Sequence, residues 1–224
     1  MLNSIAENIW HAQHVFKVHG VPISSRMTLV RLPSGVLWVH SPIPVSDQTR
    51  GEIDALGPVK FIIAPSKSHH LFAGHFAEKF PSATLYGAPG LAEKRPDLAN
   101  MQPLRPEPGE WSPELEFHLF GGIPFANETV WFHAPSRTLI LTDLCQWWQG
   151  ELPWQASLLN SLAGVRQKFD VPRTVRAMLR DKGAAAASAK RIMEWPFQRI
   201  VMAHNTIIES DARAQLELAF RRFQ

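Results

Sequence analysis

Short apolar runs separated by turn-forming residues fill the first two thirds of the chain. Residues 27–32 (MTLVRL) and 36–40 (VLWVH) flank the turn sequence PSG, and this arrangement predicts a β-hairpin. The continuous apolar run at residues 59–64 (VKFIIA) is typical of a buried strand. Between these elements, residues 47–57 (DQTRGEIDALG) predict a helix with Asp47 as its N-cap.

Strand and helix patterns alternate along the rest of the chain. This alternation favours a layered α/β arrangement over an all-β one. The last predicted helix has Ser210 as its N-cap and directs Leu216, Leu218 and Phe220 inward. The remaining strands are predicted at residues 83–89, 115–120, 128–133, 138–143 and 197–204. Helices are predicted at residues 75–80, at residues 156–195 with breaks at Pro172 and Gly183, and at residues 210–220.

Size and composition favour one domain over residues 1–224. The 224 residues are 45% hydrophobic, and no linker-like segment divides them. The first residues lack the pattern of a signal peptide, and no apolar run is long enough to span a bilayer. A single cysteine, Cys145, excludes an internal disulfide framework. These features predict a cytoplasmic protein without a membrane partner.

Basic residues collect in the C-terminal part of the chain. Residues 1–159 contain 11 Lys or Arg against 14 Asp or Glu, whereas residues 160–224 contain 12 against 6. No nucleic-acid motif or aromatic interleaving accompanies the basic residues, so a solvated helical face is favoured over a nucleic-acid surface. No pattern in the sequence indicates an oligomeric state.

Ionisable side chains follow three of the predicted strands. His69 and His70 come after residues 59–64, while Asp143 and His204 end two later strands. Functional groups gather at the carboxyl ends of strands in layered α/β folds, because the loops there share one crevice. Two or three imidazoles with a carboxylate suit zinc, and iron or manganese less exclusively. The pattern therefore predicts a metal or catalytic site at these strand ends.

Each of these residues also has a purely structural interpretation. His69 and His70 could cap the backbone of the helix that follows them, and Asp143 could cap a turn. His204 could be an ordinary histidine at a strand end. His133 lies inside an apolar strand, where a hydrogen-bonded core histidine is the expected role.

Several phrases of the sequence resemble the metallo-β-lactamase-like superfamily, in particular a branch catalogued as a domain of unknown function. They are LVRLPSGVLWVHSP, FIIAPSKSHHLFAGHFAEKFPSATLYGAP, TLILTDL and RIVMAHNTII. The resemblance covers nearly the whole chain and implies a four-layer αββα sandwich. It also implies the superfamily's metal signature, H-x-H-x-D-H after a buried strand, followed by a histidine, an aspartate and a histidine on later loops.

The signature is degenerate in this chain. With its last two positions placed on the paired histidines, Pro65 and Lys67 stand at the first-metal histidines, His69 at the aspartate and His70 at the last histidine. A shift by one residue instead places His70 at the aspartate. No histidine stands in the glycine-rich loop FGGIPFA, whereas Asp143 matches the bridging aspartate and His204 the terminal histidine.

The resemblance thus implies a lost first metal site and a nearly complete second one. The expected ligands are His70, Asp143 and His204, with His69 beside them. His40 and Ser41 stand where the superfamily has an aspartate supporting the ligands. His133 is a further candidate for contact with the site or its substrate. Lys67 would either pair with Asp143 in place of the missing ion or point into solvent.

The function implied is that of a metal-dependent hydrolase with at most one ion. Zinc is the expected metal, and iron and manganese are the alternatives. A protein that binds no metal is the remaining alternative. The substrate would be a small molecule carrying an ester, thioester, lactone or phosphodiester. The alternative is a catalytically inactive binding module on the same fold, since fold alone does not entail function.

Three tryptophans, Trp147, Trp148 and Trp154, lie soon after Asp143. They could wall a substrate crevice, anchor a partner or simply pack in the core. The sequence leaves these three roles open.

Overall fold

Two mixed β-sheets form the centre of the chain in its computed structural model, which describes residues 1–107 and 109–224. The first sheet has seven strands that follow one another in chain order: β1 (Asn3–Ala6), β2 (Ile9–Val18), β3 (Val21–Arg31), β4 (Leu37–His40), β5 (Val59–Ala64), β6 (Thr84–Gly87) and β7 (Gln102–Pro103). The strands from β1 to β4 pair antiparallel, and those from β4 to β7 pair parallel.

The second sheet has five strands: β8 (Leu115–Leu119), β9 (Thr129–His133), β10 (Thr138–Leu141), β11 (Arg199–Met202) and β12 (Ile207–Ile208). Their order in the sheet is β12, β11, β10, β9 and β8. β10 and β11 pair in parallel, and the other neighbours are antiparallel. The loops after β10 and β11 therefore leave the sheet at the same edge.

Seven α-helices lie within the residues that the structure describes. They are α1 (Asp47–Leu56), α2 (Ala73–Lys79), α3 (Leu91–Lys94), α4 (Trp154–Ala163), α5 (Arg173–Ala177), α6 (Lys182–Met193) and α7 (Ala212–Phe220). Within the described ranges, none of these helices is long and apolar enough to cross a membrane.

Three apolar clusters separate four layers. One cluster lies between the sheets and joins Trp38 and Phe61 of the first sheet to Trp131 and Ile140 of the second. The second cluster packs α1 and α2 on the outer face of the first sheet. The third packs α6 and α7 on the outer face of the second sheet. The order is helix, sheet, sheet, helix, so the expected four-layer αββα sandwich is confirmed.

Alternation along the central strands explains why both sheets are buried on two faces. In β10, Ile140 faces the cluster between the sheets while Leu139 and Leu141 face the helices. In β5, Phe61 likewise faces the cluster between the sheets, and Ile62 faces the helices. Successive side chains point to opposite faces of a strand, so a strand between two apolar layers needs a continuous apolar run.

Most of the predicted elements are present. The helical segment at residues 156–195 is divided into α4, α5 and α6, and Gly183 lies inside α6 instead of breaking the helix. Three further details differ. The N-cap of α1 is Ser46, whose Oγ accepts from the N–H of Thr49, and not Asp47. Ser210 does not cap α7, because that position belongs to Asp211 with a left-handed φ of 53°. Leu218 is 61% exposed, whereas Leu216 and Phe220 are buried as expected.

The long antiparallel pairing of β2 with β3 was not expected from the sequence. Ten residue pairs join these strands, from Ile9 with Val30 to Val18 with Val21. The outer part of β2 carries His14, Lys17 and other partly exposed residues, so its polar and apolar positions do not alternate cleanly. This hairpin reaches the end of the molecule where β4 and β5 finish.

Truncation of Phe61 tests the packing between the sheets. We expect Phe61→Ala to lower the free energy of unfolding by about 3 to 5 kcal/mol, because a fully buried ring is removed and a cavity remains. Phe125→Ala is the matched control, since that ring is mostly exposed, and we expect a loss below about 1 kcal/mol. Urea unfolding measures both values. Equal losses in the two variants would contradict the arrangement of layers.

Candidate metal centre

Three polar side chains meet where β5, β10 and β11 end. His204 Nε2 lies 3.0 Å from Asp143 Oδ1, and His69 Nε2 lies 3.3 Å from Asp143 Oδ2. The two Nε2 atoms are 3.2 Å apart. Within the part of the chain that the structure describes, these residues form a group whose donor atoms all lie within 4.8 Å of one another. The three strand ends thus meet at one place, as the sequence pattern predicts.

A serine shapes the turn that carries His69. Ser66 is fully buried, and its Oγ accepts hydrogen bonds from the backbone N–H groups of Ser68 and His69, at 3.2 and 3.0 Å. A short hydroxyl side chain that bonds the backbone two and three residues ahead forms a compact turn. The turn places His69 at the edge of the first sheet, where its side chain faces the second sheet.

The outer ring nitrogens of both histidines have partners. His204 Nδ1 donates to the backbone carbonyl of Ser24 over 2.6 Å, so this nitrogen carries a proton. His69 Nδ1 lies 2.9 Å from Ser41 Oγ. A ring nitrogen held in this way directs the Nε2 atom of the same ring toward a metal or an acid, and it fixes the orientation of the ring.

His70 lies outside this group. Its Nδ1 accepts from the guanidinium of Arg95 at 3.0 Å, and the same Arg95 nitrogen donates to the His70 carbonyl. Burial, with the charges of Lys94 and Arg95, lowers the pKa of His70 to about 4, so the ring is neutral near pH 7. Since Nδ1 accepts, the proton of the neutral ring is on Nε2. Neither nitrogen then offers a free lone pair, and the structure separates His70 from the other three expected ligands.

A buried glutamate holds the Asp143 loop. The carboxylate of Glu128 accepts from three consecutive backbone N–H groups, those of Thr142, Asp143 and Leu144, at 2.6 to 2.9 Å. Burial, with the charge of Asp143, raises the pKa of Glu128 to about 7. The three backbone donors oppose that shift and tie the loop to the start of β9.

A buried arginine holds the His204 loop. Arg26 is 3% exposed, and its guanidinium donates to the carbonyls of Met202, Asn205 and Thr206. Its backbone N–H also donates to the Ala203 carbonyl. Burial lowers the pKa of Arg26 to about 10, which still leaves it charged near neutral pH. Arg26 therefore links β3 of the first sheet to the loop after β11 in the second.

The electrostatics of the group favour a charged carboxylate. Burial alone would raise the pKa of Asp143, but the charge of His69 and hydrogen bonds from His204 and His69 lower it well below its usual range. Burial alone would lower the pKa of His204, but the hydrogen bond and charge of Asp143 raise it. Gln146 Nε2 adds a further donor to Asp143 Oδ1 at 3.0 Å. A proton or a metal ion can satisfy the same set of atoms.

The other three candidate residues have different surroundings. Lys67 donates to the Pro124 carbonyl at 3.2 Å and lines a surface pocket that excludes Asp143, so it does not form the ion pair considered from the sequence. His40 is fully buried and stacked on Trp38, with ring centroids 5.4 Å apart. Burial, with the charge of His69, lowers the pKa of His40 to about 3.

His133 lies away from the group. It is buried in β9, and its Nδ1 lies 2.7 Å from Ser136 Oγ. It lines a cavity of about 570 Å³ together with Arg31 and Glu114, and none of the residues lining that cavity belongs to the group at the strand ends. These surroundings are those of a hydrogen-bonded core histidine, and His133 does not contact the group at the strand ends.

The three tryptophans occupy three different environments. Trp148 is buried and stacks on His204, with ring centroids 5.4 Å apart and planes 21° apart. Trp147 is partly buried against the cluster under α6 and α7. Trp154 is mostly exposed on α4. One tryptophan therefore supports the site directly, and one has no contact that explains it.

A cavity of about 180 Å³ gives access to the group. His69, Asp143 and His204 form its polar floor, and His70 lines its edge. Its walls are mainly apolar and come from the β2–β3 hairpin and the loop before α2: Phe16, Val18, Ile23, Leu71 and Phe72. The cavity suits a small molecule with an apolar part that contacts the hairpin and a polar part that meets the imidazoles and carboxylate.

Two supporting residues of the site were missed in the sequence. Glu128 precedes an apolar strand, where a buried carboxylate is costly unless it is bonded, and that cost is the signal that could have indicated it. Arg26 lies within a strand whose next residues are apolar, which is a similar signal. Nothing in the sequence indicates the carbonyl of Ser24.

A protein-family model matches part of the chain. Residues 6–92 match the family model described as Domain of unknown function (DUF4336). This segment includes the hairpin, β4, β5 and the paired histidines. No match was found among curated proteins.

Comparison with solved structures covers the whole chain. A metallo-β-lactamase from Pontibacter korlensis is 14% identical, with 100% of this chain and 98% of that chain covered and a TM-score of 0.67. A metallo-β-lactamase from Erythrobacter litoralis with β-mercaptoethanol in the active site is 13% identical, with coverages of 98% and 95% and a TM-score of 0.68. The metallo-β-lactamase FIM-1 from Pseudomonas aeruginosa in the mono-zinc form is 14% identical, with coverages of 100% and 94% and a TM-score of 0.66. The chain therefore has the metallo-β-lactamase fold.

His40 provides a test of the electrostatics around the site. The pKa of His40 is about 3 in the folded chain and 6.5 in the unfolded chain. Between these pH values, His40 is protonated in the unfolded chain and neutral in the folded one. Stability should therefore increase with pH between these values, by up to about 1.4 kcal/mol per pH unit from this residue. We expect His40→Phe, which retains a ring against Trp38, to reduce that slope.

Urea unfolding between about pH 4 and pH 6.5, with a chelator present, measures the slope for His40. Among the other groups, the lowered pKa of Asp143 acts in the same direction as that of His40. The raised pKa of His204 acts in the opposite direction, but the stability it contributes is lost only as pH rises above 6.5, outside this window. Both contributions are common to the wild type and the variant. An unchanged slope in His40→Phe would contradict the buried neutral state of His40.

Proposed function

We propose that this protein is a metal-dependent hydrolase that holds one zinc ion between His69, Asp143 and His204. The observation that carries the proposal is the closeness of two imidazoles and one carboxylate. The two Nε2 atoms lie 3.2 Å apart, and each lies within 3.3 Å of one Asp143 oxygen, Oδ1 for His204 and Oδ2 for His69. In a tetrahedral zinc site with bonds of about 2.0 to 2.1 Å, neighbouring ligand atoms lie about 3.3 Å apart. A catalytic zinc site has three protein ligands of this kind and one open position.

The fixed orientation of the rings supports the same proposal. The Ser24 carbonyl keeps the proton of neutral His204 on Nδ1, which leaves the lone pair of Nε2 directed at Asp143 and His69. The Ser41 hydroxyl orients His69. Zinc ligands in proteins have such outer partners, and their loss weakens metal binding. Iron or manganese would fit the same donors less exclusively.

A bound zinc would lower the pKa of a water molecule to about 7 and polarise the scissile group of an ester, thioester, lactone or phosphodiester. The residues of the chain bind and position the reactants. Glu128 and Arg26 hold the loops of Asp143 and His204 rigid. The apolar walls around Phe16 and Phe72 bind the apolar part of a substrate and reduce the access of water.

The site has only one carboxylate among its donors. His69 stands where the superfamily's signature has an aspartate, so the metal-bound site carries one more positive charge than the usual set. This charge favours an anionic substrate and weakens the binding of the ion itself.

The alternative is a catalytically inactive binding module. It is favoured by one observation, namely that His69, Asp143 and His204 already satisfy one another through hydrogen bonds without a metal. Assays on the four substrate classes with zinc-loaded protein separate the two functions. Zinc binding without hydrolysis in any class would favour the binding module.

The ligand set is tested by zinc titration of three proteins. We expect the wild type to bind one zinc ion and His204→Ala to bind at least about 100-fold more weakly, because a ligand is removed. His70→Ala is the matched control, since its ring is held by Arg95, and we expect its affinity to stay within about tenfold of the wild type. Circular dichroism checks that each variant is folded.

Either of two results would contradict this ligand set. The first is a His204→Ala protein with unchanged zinc affinity. The second is a folded His70→Ala protein that loses zinc while Asp143→Asn retains it. Isothermal titration calorimetry and elemental analysis give the affinity and the stoichiometry.

The pH dependence of zinc binding gives an independent test. The raised pKa of His204 means that its Nε2 keeps a proton to higher pH, and zinc must displace that proton. We expect the apparent zinc affinity to increase by up to about tenfold per pH unit as pH rises toward this pKa, and to level off above it. Competition with a chromophoric chelator measures the affinity. An affinity independent of pH in this range would count against His204 as a ligand.

A further inference from the structure

The cavity that His133 lines lies at the opposite edge of the sandwich from the candidate metal centre. Its volume is about 570 Å³, and its lining comes from the β1–β2 turn, the end of β3, the residue before β8 and the β9–β10 turn. Ser24 of β3 bonds His204, whereas Arg31 of the same strand lines the cavity. These two residues are seven positions apart, which places them roughly 23 Å from one another along the strand. A cavity of this volume is large enough for a small ligand.

The imidazole of His133 is the most buried polar group of the lining, with 1% of the residue exposed. Ser136 Oγ donates its one proton to Thr138 Oγ1 at 2.8 Å, while the Thr138 hydroxyl donates to the Ser136 carbonyl and accepts from Arg199. His133 Nδ1, at 2.7 Å from the same Ser136 Oγ, is therefore the donor in that contact. Burial lowers the pKa of His133 to about 4, so the ring carries a single proton near pH 7. That proton is on Nδ1, and Nε2 presents a lone pair.

The Nε2 atom of His133 has no hydrogen-bond partner within the described residues. It is not one of the enclosed polar atoms that lack a partner, so it is open to the cavity. A polar atom in a largely buried side chain is costly when it is left unpaired. A ligand that donates an N–H or O–H group would satisfy this acceptor.

Three charged residues also line the cavity, namely Glu7, Arg31 and Glu114. Within the described residues, none of them forms an ion pair. A Cβ atom placed on Gly35 would lie 4.0 Å from Nη2 of Arg31, so the guanidinium lies beside another residue of the lining. The cavity thus offers one cation to a ligand, together with two carboxylates and an imidazole lone pair.

We propose that this cavity binds a small zwitterion of the class formed by amino acids and short peptides. The carboxylate of the ligand pairs with Arg31, since a guanidinium can hold a carboxylate through two parallel hydrogen bonds. The ammonium group of the ligand donates to Nε2 of His133 and to Glu114. Leu32 and Pro135, which also line the cavity, contact an apolar side chain of the ligand.

Other ligand classes match the lining less well. A simple anion would pair with Arg31 but would be repelled by Glu7 and Glu114, and a simple cation would leave Arg31 unpaired. A metal ion needs several ligating side chains close together. Within the described residues, a group of three is present at the strand ends and not in this cavity. A ligand with both charges is the one that pairs with every charged part of the lining.

Isothermal titration calorimetry of the metal-free protein, with a chelator present, tests the proposal. The probes are leucine and glycyl-leucine, which distinguish a single amino acid from a short peptide. We expect one of them to bind with a stoichiometry of one and a dissociation constant below about 1 mM. The amide and the N-acetyl derivative of the better probe each lack one charge. Each should bind at least about tenfold more weakly.

Two variants with matched controls assign the binding to this cavity. We expect His133→Phe and Arg31→Gln each to weaken binding at least about tenfold, because each removes a group that pairs with a charge of the ligand. His118→Phe, on β8, and Arg176→Gln, on α5, are the controls and should bind as the wild type does, since neither residue lines the cavity. Circular dichroism checks folding. Arg31 is exposed, so its variant provides a test that does not depend on the core.

Nitrogen-15 NMR of the imidazole rings tests the role of His133 directly. A protonated ring nitrogen and one with a lone pair have distinct resonances. We expect the free protein to have a proton on Nδ1 of His133 and a lone pair on Nε2. The bound probe should shift the Nε2 resonance of His133 and leave that of His118 unchanged, an effect that a purely structural histidine would not show.

Any of three results would overturn the proposal. The first is the absence of binding by both probes up to about 10 mM. The second is equal binding of the better probe and its two derivatives. The third is unchanged affinity in both His133→Phe and Arg31→Gln, or binding that His204→Ala abolishes, which would assign the probe to the other cavity. These experiments need no metal and no hydrolysis, so they are independent of the proposed hydrolase function.

Discussion

The site depends on keeping one carboxylate charged in a place where burial opposes charge. Asp143 ends an apolar strand, and its surroundings alone would favour the neutral acid. His69 and His204 reverse that preference from two sides, at 3.3 and 3.0 Å. A buried charge is tolerated only when it is paired and hydrogen-bonded, so the three residues have to arrive together. The parallel pairing of β10 with β11 and the facing of the two sheets bring them together.

The sheets are joined by polar bonds at this edge and by apolar packing below it. Arg26 and the Ser24 carbonyl belong to β3 of the first sheet, and both bond the loop of His204 in the second. Glu128 performs a similar role within the second sheet by accepting three N–H groups of the Asp143 loop. Each of these groups would be costly if left unpaired, so displacement of either loop is opposed by several hydrogen bonds at once. The result is a rigid floor beneath an apolar entrance.

The layered fold could be predicted from the sequence because its central strands are continuous apolar runs bounded by turns. Residues 59–64 and 138–143 needed no tertiary information to be recognised as strands. The choice between His69 and His70 could not be made, since the two are adjacent and only the turn made by Ser66 and the contact with Arg95 separate their directions. Glu128 and Arg26 were missed because the cost of burying a charge is the one sign of them in the sequence, and their backbone partners carry no sequence signal. Leu158, Leu159 and Leu162 of α4 were placed in a helix correctly, but the direction in which they face depends on what the helix packs against.

Cations stand where the resemblance to the metallo-β-lactamase-like superfamily implies a first metal. Lys67 stands at one of the positions where the resemblance implies a first-metal histidine, and its ammonium bonds the Pro124 carbonyl. Lys94 donates a hydrogen bond to the carbonyl of Lys67, and Arg95 donates one to Nδ1 of His70. A divalent ion placed among these three positive charges would be repelled, and a protonated lysine offers it no lone pair. On the side of Asp143 the charges are more favourable to a cation, because there a carboxylate faces two imidazoles. The same short turn, from Ser66 to His70, therefore separates a region that repels a metal ion from the group for which a bound metal is proposed.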